Sequence, residues 1–436
     1  MRLIRYCIIT IIILLIIFIP NYYSNNYIIE SSYKTNNIKN ISMLFETDHN
    51  TGIYEVQSTN NWPASGYKFN KELSKCKFGS DIIWDSINNK VIVNSDNKEY
   101  CYVYFDVCDN ICKLARLHSL TEPTTINLTD GYIYYHDGSL ENGASDNSYR
   151  YAGSNPNNYV CFGSNAANCP DDNLYRIIGI FYVDTVIDET TTPVTTRKKA
   201  LYKIIKNDYE TESSLGMTKV NDATKVITYN GPANNMPSGI IDGFYWSGSN
   251  SNRANDWNTS TLNNNGLNTN ILNSMSTWAE KIATVKWYIG GDTWSNMGLV
   301  TPVSIAYHNE INVSQQYLFN KIGLLYVSDY AYSTIQSSWN TRVWSYNNGT
   351  ISTNNWLYRG VNEWTITRLN EDNGDYDSYV YDIYIPPNNT ASGGAVDGRS
   401  VYDYACALRR VFYLKENTLI DMTNHDGTIS DPFRMS

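Results

Sequence analysis

Carboxylates crowd one short segment of the sequence, residues 371–377, which reads Glu-Asp-Asn-Gly-Asp-Tyr-Asp. Asp372, Asp375 and Asp377 carry the hard oxygen ligands that Ca²⁺ prefers. The segment lacks the ligand spacing of an EF-hand loop and its terminal Glu, so a solvated acidic turn is the stronger interpretation. We therefore predict no cofactor, with Ca²⁺ at these three aspartates as the one candidate metal site.

Aromatic side chains surrounded by polar residues form a second candidate for chemistry. Trp339, Trp344 and Trp356 lie among Asn, Ser and Thr in the C-terminal half, and Tyr358 follows closely. Aromatic rings stack on the C–H faces of sugars, while nearby amides and hydroxyls hydrogen-bond the sugar hydroxyls. We select these four residues as ligand-binding candidates and expect Trp339, Trp344 and Trp356 to be exposed. Burial in a loop-rich core is the stronger alternative for the tryptophans as a group.

No catalytic constellation accompanies these residues. The five histidines form no HExxH pair, and the chain contains no G-x-S-x-G elbow. The His-Asp-Gly tripeptides at residues 136 and 425 indicate turns. Acidic pairs such as Asp171-Asp172 are adjacent on the chain, and adjacent carboxylates rarely face one substrate. We predict no catalytic residues and no enzyme activity.

Four cysteines are placed where local disulfides are expected. Cys76 and Cys101 bracket two strand-like runs, and Cys161 and Cys169 close a short loop. Disulfides form and persist in exported proteins. We predict one bridge within each of these two pairs.

The remaining cysteines are less informative. Cys108 and Cys112 are four residues apart, so they either pair with each other or face one side of a helix. Cys406 is left over and is predicted to be a buried free thiol. Metal binding is weakly supported, because no CxxC pair is present.

Composition limits the classes of partner. The chain has 436 residues, of which 42 % are hydrophobic and 17 % charged, with a net charge of −10. This apolar content is sufficient for a folded core and argues against wholesale disorder. A dispersed negative charge gives no electrostatic attraction to phosphate backbones, so we predict no nucleic-acid partner.

The N-terminus carries the features of an export signal. Two arginines precede an apolar run that ends at Ile19. Because no small-x-small cleavage site follows, we predict that residues 1–20 remain as a signal anchor: one membrane helix, with the bulk of the chain extracellular. The alternative is a signal peptide cleaved near Ser24, which would release a secreted protein. Residues 21–40 then form a stalk.

The rest of the chain divides into three parts. Residues 41–107 alternate like short strands and predict a small all-β module. Residues 108–129 contain a short amphipathic helix, interpreted as a linker. Residues 130–436 mix helical and strand patterns, which predicts one α+β domain with long loops. Strand-like runs in that domain include residues 174–183, 200–206, 322–328 and 408–414.

Three phrases of the larger domain occur in a recognisable order. They are residues 149–153 (YRYAG) followed by 174–179 (LYRIIG), residues 256–260 (DWNTS) with 267–268 (LN), and residues 364–368 (WTITR), 407–414 (ALRRVFYL) and 426–434 (DGTISDPFR). Residues 130–436 in this order resemble exported proteins of AT-rich bacteria whose C-terminal domain is similar to the DUF6273-type family. Arg410 stands where that family usually has Pro.

The resemblance implies a fold more than an activity. The family looks like a relative of C-type lectins and formylglycine-generating enzymes, so the larger domain is expected to be C-type-lectin-like. C-type-lectin-like domains often hold calcium in long loops, which favours the candidate site at residues 371–377. The formylglycine-generating reaction needs paired reactive cysteines, and the C-terminal half offers Cys406 alone.

The sequence therefore predicts a membrane-anchored, surface-exposed binding or adhesion protein of the bacterial envelope. The expected partners are the membrane, through the N-terminal helix, and a glycan or cell-surface protein. The alternatives are an envelope hydrolase acting on glycans or peptides, and a purely structural surface component.

Overall fold

A computed structural model describes most of the chain beyond residue 38. The described residues are 39–49, 51–56, 66–85, 90–95, 98–227, 241–291, 293, 302–313, 316–346, 351, 353–369, 378–384 and 395–435. The predicted signal anchor, most of the predicted stalk, and Asp372, Asp375 and Asp377 lie outside these residues. Within the described part, no helix is both long enough and apolar enough to cross a membrane.

The chain forms two compact units, Met1–Asp109 and Asn110–Ser436. Both contain β-sheet, and helices occur among the described residues of the second, so the fold class is α+β as predicted. The boundary lies two residues beyond the predicted end of the β-module.

The smaller unit is built on a four-stranded sheet. The described part of the unit contains six strands: β1 (Lys39–Glu46), β2 (Tyr54–Val56), β3 (Tyr67–Cys76), β4 (Ile82–Asp85), β5 (Lys90–Val93) and β6 (Glu99–Val107). The order in the sheet is β2-β1-β6-β3, with β1 and β6 parallel and the other pairs antiparallel. Strands β4 and β5 form a separate hairpin.

Strict alternation along β6 separates the two faces of this sheet. Cys101, Val103 and Phe105 are buried, whereas Tyr100 and Tyr102 are exposed. Successive side chains of a strand point to opposite faces, so one face packs on the apolar core and the other faces solvent. The core is closed from the other side by aromatic contacts, such as Trp84 against Phe105.

A long antiparallel hairpin forms the centre of the larger unit. Strand β11 (Leu174–Asp188) pairs with β12 (Thr195–Lys206) across a Thr-rich loop, so the strand-like runs at residues 174–183 and 200–206 form one hairpin. The first eight residues of β11 and the last eight of β12 are buried, including three lysines at the end of β12. Gly179 sits at a bulge where β9 (Tyr149–Ala152) approaches so closely that a Cβ would clash with the backbone oxygen of Tyr149.

Eight further strands extend this central sheet. They are β7 (Ile126–Leu128), β8 (Gly131–Tyr135), β9 (Tyr149–Ala152), β10 (Tyr159–Cys161), β14 (Val285–Tyr288), β15 (Tyr317–Asn320), β16 (Ile322–Gly323) and β21 (Val411–Tyr413). The main path is β16-β21-β12-β11-β9-β8-β7, and β10, β14 and β15 join at its side.

Three small sheets surround the central one. Strands β17 (Glu363–Leu369), β18 (Tyr379–Tyr384) and β19 (Ala395–Ser400) form one meander. The pair β13 (Phe244–Tyr245) and β20 (Ala405–Cys406) forms the second, and β22 (Ile420–Asp421) with β23 (Arg434–Met435) forms the third. The buried residues of these elements join the same core as the hairpin.

Helices in the larger unit are short. They are α1 (Asn110–Leu117), α2 (Glu212–Leu215), a π-helical segment (Leu262–Ile271) that runs into α3 (Leu272–Ser274), α4 (Val303–Tyr307) with a π-turn (His308–Val313), and α5 (Val327–Tyr332). The 3₁₀ turns are Asp171–Asn173, Ser276–Lys281, Gln336–Ser338 and Val343–Ser345.

Side chains support the long π-helical segment. Thr269 Oγ1 donates to the carbonyl of Asn264, five residues earlier, at 2.7 Å. Asn268 binds both backbone groups of Ile322 at 2.9 Å, as a neighbouring strand would. The Leu-Asn phrase of the sequence therefore has a structural role here.

Two expectations about individual elements need correction. Helix α1 is not a free linker, because Ile111 and Leu114 are part of the core of the larger unit and Asn110 donates to the carbonyl of Ala200 at 2.7 Å. The strand predicted over residues 322–328 ends after Gly323, and α5 begins at Val327.

Candidate functional site

A polar cleft of about 510 Å³ opens at one end of the central hairpin. Its walls come from the start of β11, the end of β12, helix α2 and the residue before β21. The side chains that carry charge are Asp172, Lys206, Asp208, Glu210, Asp242 and Arg410. We call this feature the polar cleft.

Glu210 and Arg410 form the most buried ion pair of the polar cleft. Arg410 Nη1 lies 3.2 Å from each carboxylate oxygen of Glu210, and hydrogen-bond geometry is met at Oε2 alone. Ser214 Oγ also donates to Oε2, at 2.7 Å. The second oxygen, Oε1, is buried at ion-pair distance from Arg410 and accepts no hydrogen bond.

Tyr175 holds Arg410 from the other side. The guanidinium Nε donates to Tyr175 Oη at 2.8 Å. Burial lowers the pKa of Arg410, but Glu210, Tyr175 and Asp172 together more than offset this, so its pKa is raised overall. Burial also raises the pKa of Tyr175 to about 12, so its hydroxyl stays protonated at neutral pH.

Each carboxylate of the polar cleft faces a cation. Besides the Glu210–Arg410 pair, Asp172 lies 4.0 Å from Lys206 Nζ, Asp208 lies 3.4 Å from Arg359, and Asp242 lies 2.8 Å from Lys219. Arg359 and Lys219 lie outside the lining, so the lining itself has four acidic and two basic side chains, and each acid has a cation within 4.0 Å. Because a neighbouring cation offsets each acidic group, the preference of the cleft for a charged ligand is reduced.

The exposure of these groups differs sharply. The side chain of Lys206 is only 5 % exposed, whereas that of Asp172 is 99 % exposed. Phe162, Tyr175 and Tyr209 border the same lining but are each 6 % exposed or less, so their rings offer little surface for stacking. The polar cleft thus offers mainly hydrogen-bond donors and acceptors, the groups that recognise a polyhydroxylated molecule.

The structure buries three of the four residues selected as ligand contacts. Trp339, Trp356 and Tyr358 are each 1 % exposed or less. The prediction that Trp339 and Trp356 are exposed is therefore wrong. Each of their indole nitrogens donates to a backbone carbonyl, Trp339 to Thr334 at 3.1 Å and Trp356 to Tyr151 at 2.8 Å. Because their rings fill the core, their polar neighbours in sequence are misleading.

Trp344 is exposed, as predicted. It lies in the 3₁₀ turn Val343–Ser345 and is 45 % exposed. It does not line the polar cleft.

The disulfide predictions are confirmed. Cys76 is bonded to Cys101, and Cys161 is bonded to Cys169. Cys406 is a free, buried thiol, also as predicted. Burial raises its pKa well above the usual value, which keeps the sulfur protonated.

The status of the two remaining cysteines of the described chain is also settled. Cys108 and Cys112 are each disulfide-bonded. One acidic and cysteine-rich group among the described residues has the spacing of a metal site: Cys76, Glu99 and Cys101. Both of its sulfurs are consumed by the disulfide, so it cannot bind a metal through thiolates.

Two carboxyl groups with raised pKa values lie outside the polar cleft. Burial raises the pKa of Glu310 and of Asp382 to about 7. Glu310 accepts from the backbone amides of Val327 and Ser328 at the start of α5, at 3.0 and 3.2 Å. Asp382, in β18 of the meander, accepts hydrogen bonds from the side chains of Asn362 at 3.2 Å and Cys406 at 3.8 Å. Neither lines the polar cleft.

Sequence reasoning missed most of the polar cleft. Lys206 was noted as the last residue of a strand, and Arg410 as a departure from the resembled family. Glu210 has no local pattern around it, and 200 residues separate it from its partner. The one local signal for the cleft in the sequence is Arg410, a charged residue at a position where the resembled family usually has Pro.

The two acidic residues of the Asp171-Asp172 pair behave as expected for neighbours on a chain. Asp172 lines the polar cleft and Asp171 does not. The two adjacent carboxylates therefore do not line the same cleft.

Comparison with known proteins adds no family to this description. No protein-family model matches the chain, and no curated protein or solved structure is significantly similar to it.

Proposed function

We propose that this chain is a binding protein of the bacterial envelope whose larger unit recognises a neutral glycan in the polar cleft. The observation that carries the proposal is the lining, which combines hydrogen-bond donors and acceptors and in which each acidic group faces a cation. A sugar presents hydroxyls that both donate and accept. The exposed Asp172 carboxylate supplies an acceptor for one of those hydroxyls.

The disulfides support an exported location. Bonds of this kind persist outside the reducing cytosol. With the apolar N-terminal segment, they favour a chain anchored by residues 1–20, with its bulk extracellular and the membrane as one partner. A C-type-lectin-like relationship of the larger unit belongs to this proposal, supported by its mixed small sheets, short helices and extensive loops.

Binding is tested on a glycan array with the full chain, followed by calorimetry on the best ligand. Replacing exposed Asp172 by Asn is expected to weaken binding about fivefold, the value of one ordinary hydrogen bond of about 1 kcal/mol. Lys206→Met should weaken it about tenfold or more, because a buried donor is lost. The matched control is Asp171→Asn, which changes the same turn outside the polar cleft. A folded protein that binds no glycan, or equal binding by all three variants, refutes the proposal.

The anchor is tested separately. Deleting residues 1–20 should move the protein from the membrane fraction to the soluble fraction. N-terminal sequencing of the mature protein distinguishes the anchor from a signal peptide cleaved near Ser24. A full-length, uncleaved chain in the soluble fraction would contradict both.

A glycan hydrolase is a second candidate, because Asp172 and Glu210 line the same polar cleft. Two carboxyl groups across one cleft are the minimum for acid–base cleavage of a glycoside. Release of reducing ends from a bound glycan, abolished by Glu210→Gln, would establish this activity. Binding without any release would favour recognition alone.

A further inference from the structure

A second surface, on the smaller unit, combines aromatic rings with lysines. Tyr100 and Tyr102 lie on the solvent face of β6, 39 % and 43 % exposed, and Phe78 beside them is 64 % exposed. Lys75 and Lys77 are exposed on the neighbouring chain segment. We call Lys75, Lys77, Phe78, Tyr100 and Tyr102 the lysine–tyrosine face.

Strand register places these residues side by side. Lys75 is directly opposite Tyr102, and the Lys77 amide donates to the Tyr100 carbonyl at 2.8 Å. Between these two pairs, Cys76 is opposite Cys101, and both point into the core. Because side chains alternate along each strand, the disulfide on the inner face fixes the spacing of the lysines and tyrosines on the outer face.

Contacts within the lysine–tyrosine face orient its rings. Phe78 and Tyr100 meet edge to face, with centroids 6.5 Å apart. Lys77 Nζ lies 5.7 Å from the Phe78 ring and 5.9 Å from the Tyr100 ring. The ammonium group is thus held beside the rings while staying exposed, so it can meet a negative charge on a molecule stacked there.

Polar residues continue this surface on the adjacent strand. In the parallel pairing of β1 with β6, Asn40 is opposite Tyr100 and Ser42 is opposite Tyr102. Strand β6 has two acidic residues. Asp106 lies at the far end and accepts from Tyr54 Oη at 2.5 Å, and Glu99 is buried and accepts from the amide of Phe78 at 2.8 Å. The exposed charges of the lysine–tyrosine face are therefore those of Lys75 and Lys77.

We propose that the lysine–tyrosine face binds an acidic polysaccharide, one whose sugar rings carry carboxylates. Ring faces stack on Tyr100 and Tyr102, and the carboxylates pair with Lys75 and Lys77. Asn40 and Ser42 hydrogen-bond the ring hydroxyls. This ligand differs in charge from the neutral glycan of the polar cleft, and the proposal does not depend on that cleft.

The test is binding of polygalacturonate to the full chain, held in solution with a mild non-ionic detergent. The fully methyl-esterified polymer has the same rings without charge and should bind about tenfold or more weakly. Tyr100→Ala with Tyr102→Ala should also weaken binding of polygalacturonate about tenfold, since two stacking rings are lost. Lys75→Gln with Lys77→Gln should weaken binding and flatten its dependence on salt.

Matched controls use the same substitutions elsewhere. Tyr317→Ala removes a similarly exposed tyrosine of the larger unit, and Lys90→Gln removes an exposed lysine of the β4–β5 hairpin. Neither should change binding. Near-ultraviolet circular dichroism shows whether each variant is folded. If the tyrosine variant is not folded, the lysine variant still tests the proposal.

Three outcomes overturn the proposal. The first is no binding of polygalacturonate at low salt. The second is binding that is unchanged in both double variants, or that is lost only with Lys206→Met in the polar cleft. The third is equal or tighter binding of single-stranded oligodeoxythymidylate through the same residues, which would indicate a general polyanion surface.

Discussion

Removing the Cys76–Cys101 disulfide should destabilise the smaller unit selectively. The bridge closes a segment with a sequence separation of 25. In the chain-entropy treatment, a closed loop of that length contributes about 3.5 kcal/mol at 25 °C by restricting the unfolded chain. Both cysteines are buried, so alanine is the replacement that leaves no buried hydroxyl.

The small size of the unit makes this contribution decisive. Among the residues of this unit that the structure describes, nine form the buried apolar core, and two of them are the bonded cysteines. Domains of this size bury a smaller share of their surface and are only marginally stable. A loss of about 3.5 kcal/mol is a large fraction of the total, which is about 5–15 kcal/mol even for ordinary domains.

The assay is hydrogen exchange read by mass spectrometry, which separates the two units. In the Cys76→Ala, Cys101→Ala variant, amides of β6 should exchange several hundredfold faster, the factor that corresponds to about 3.5 kcal/mol. Amides of β11 should be unchanged. The matched control, Cys161→Ala with Cys169→Ala, opens a bridge of separation 8 worth about 2.5 kcal/mol and should affect the larger unit only.

Two results would refute this reasoning. One is undiminished protection of β6 in the variant, which would mean that packing alone holds the sheet. The other is an equal loss of protection in β11, which would mean that the two units unfold as one.

Other predictions concern the larger unit. The pKa of Glu310, about 7 when folded, exceeds its ordinary value of 4.5, so its contribution to stability is complete below about pH 4.5 and lost as pH rises to about 7. Urea unfolding should show this loss, about 3 kcal/mol, and Glu310→Gln should remove it. Trp339→Ala should cost about 3–5 kcal/mol and exposed Trp344→Ala less than about 1 kcal/mol, measured in the same way. Gly179→Ala should lower Tm because its Cβ would meet the carbonyl oxygen of Tyr149.

Each of these has an opposite outcome that would count against it. A pH profile identical in Glu310→Gln and the parent chain would place the titration elsewhere. Equal costs at Trp339 and Trp344 would contradict their difference in burial. An unchanged Tm for Gly179→Ala would show that β9 can move away from β11.

Local sequence patterns predict those strands and helices whose type depends only on their own residues. The hairpin of β11 and β12 follows from two long apolar runs around a Thr-rich turn. The alternation of β6 likewise follows from its own residues. Helix α5 could not be predicted this way, because its first amides are bound by Glu310 from a different part of the chain. The residues before it, 322–326, are mostly apolar (Ile-Gly-Leu-Leu-Tyr), which favoured a strand.

The candidate sites were less predictable for the same reason. Polar neighbours suggested that Trp339 was exposed, but His136 and Tyr332 surround its ring in the core. Glu210 and Arg410 meet only after the central hairpin and β21 are paired. The lysine–tyrosine face depends on the register of β3 with β6, and the alternation of a single strand does not fix that register.

Burial of Cys406 has a consequence for how the chain reaches its native disulfides. A free thiol in a chain that also contains disulfides can attack them and exchange partners. In the folded protein, Cys406 lies in β20 with no exposed surface, and its raised pKa leaves little thiolate to react. Burial in the folded protein therefore keeps the Cys406 sulfur from reacting. Mispaired bridges that include Cys406 can form only before β20 pairs with β13, so oxidative refolding should gain yield when that pairing is complete before oxidant is added.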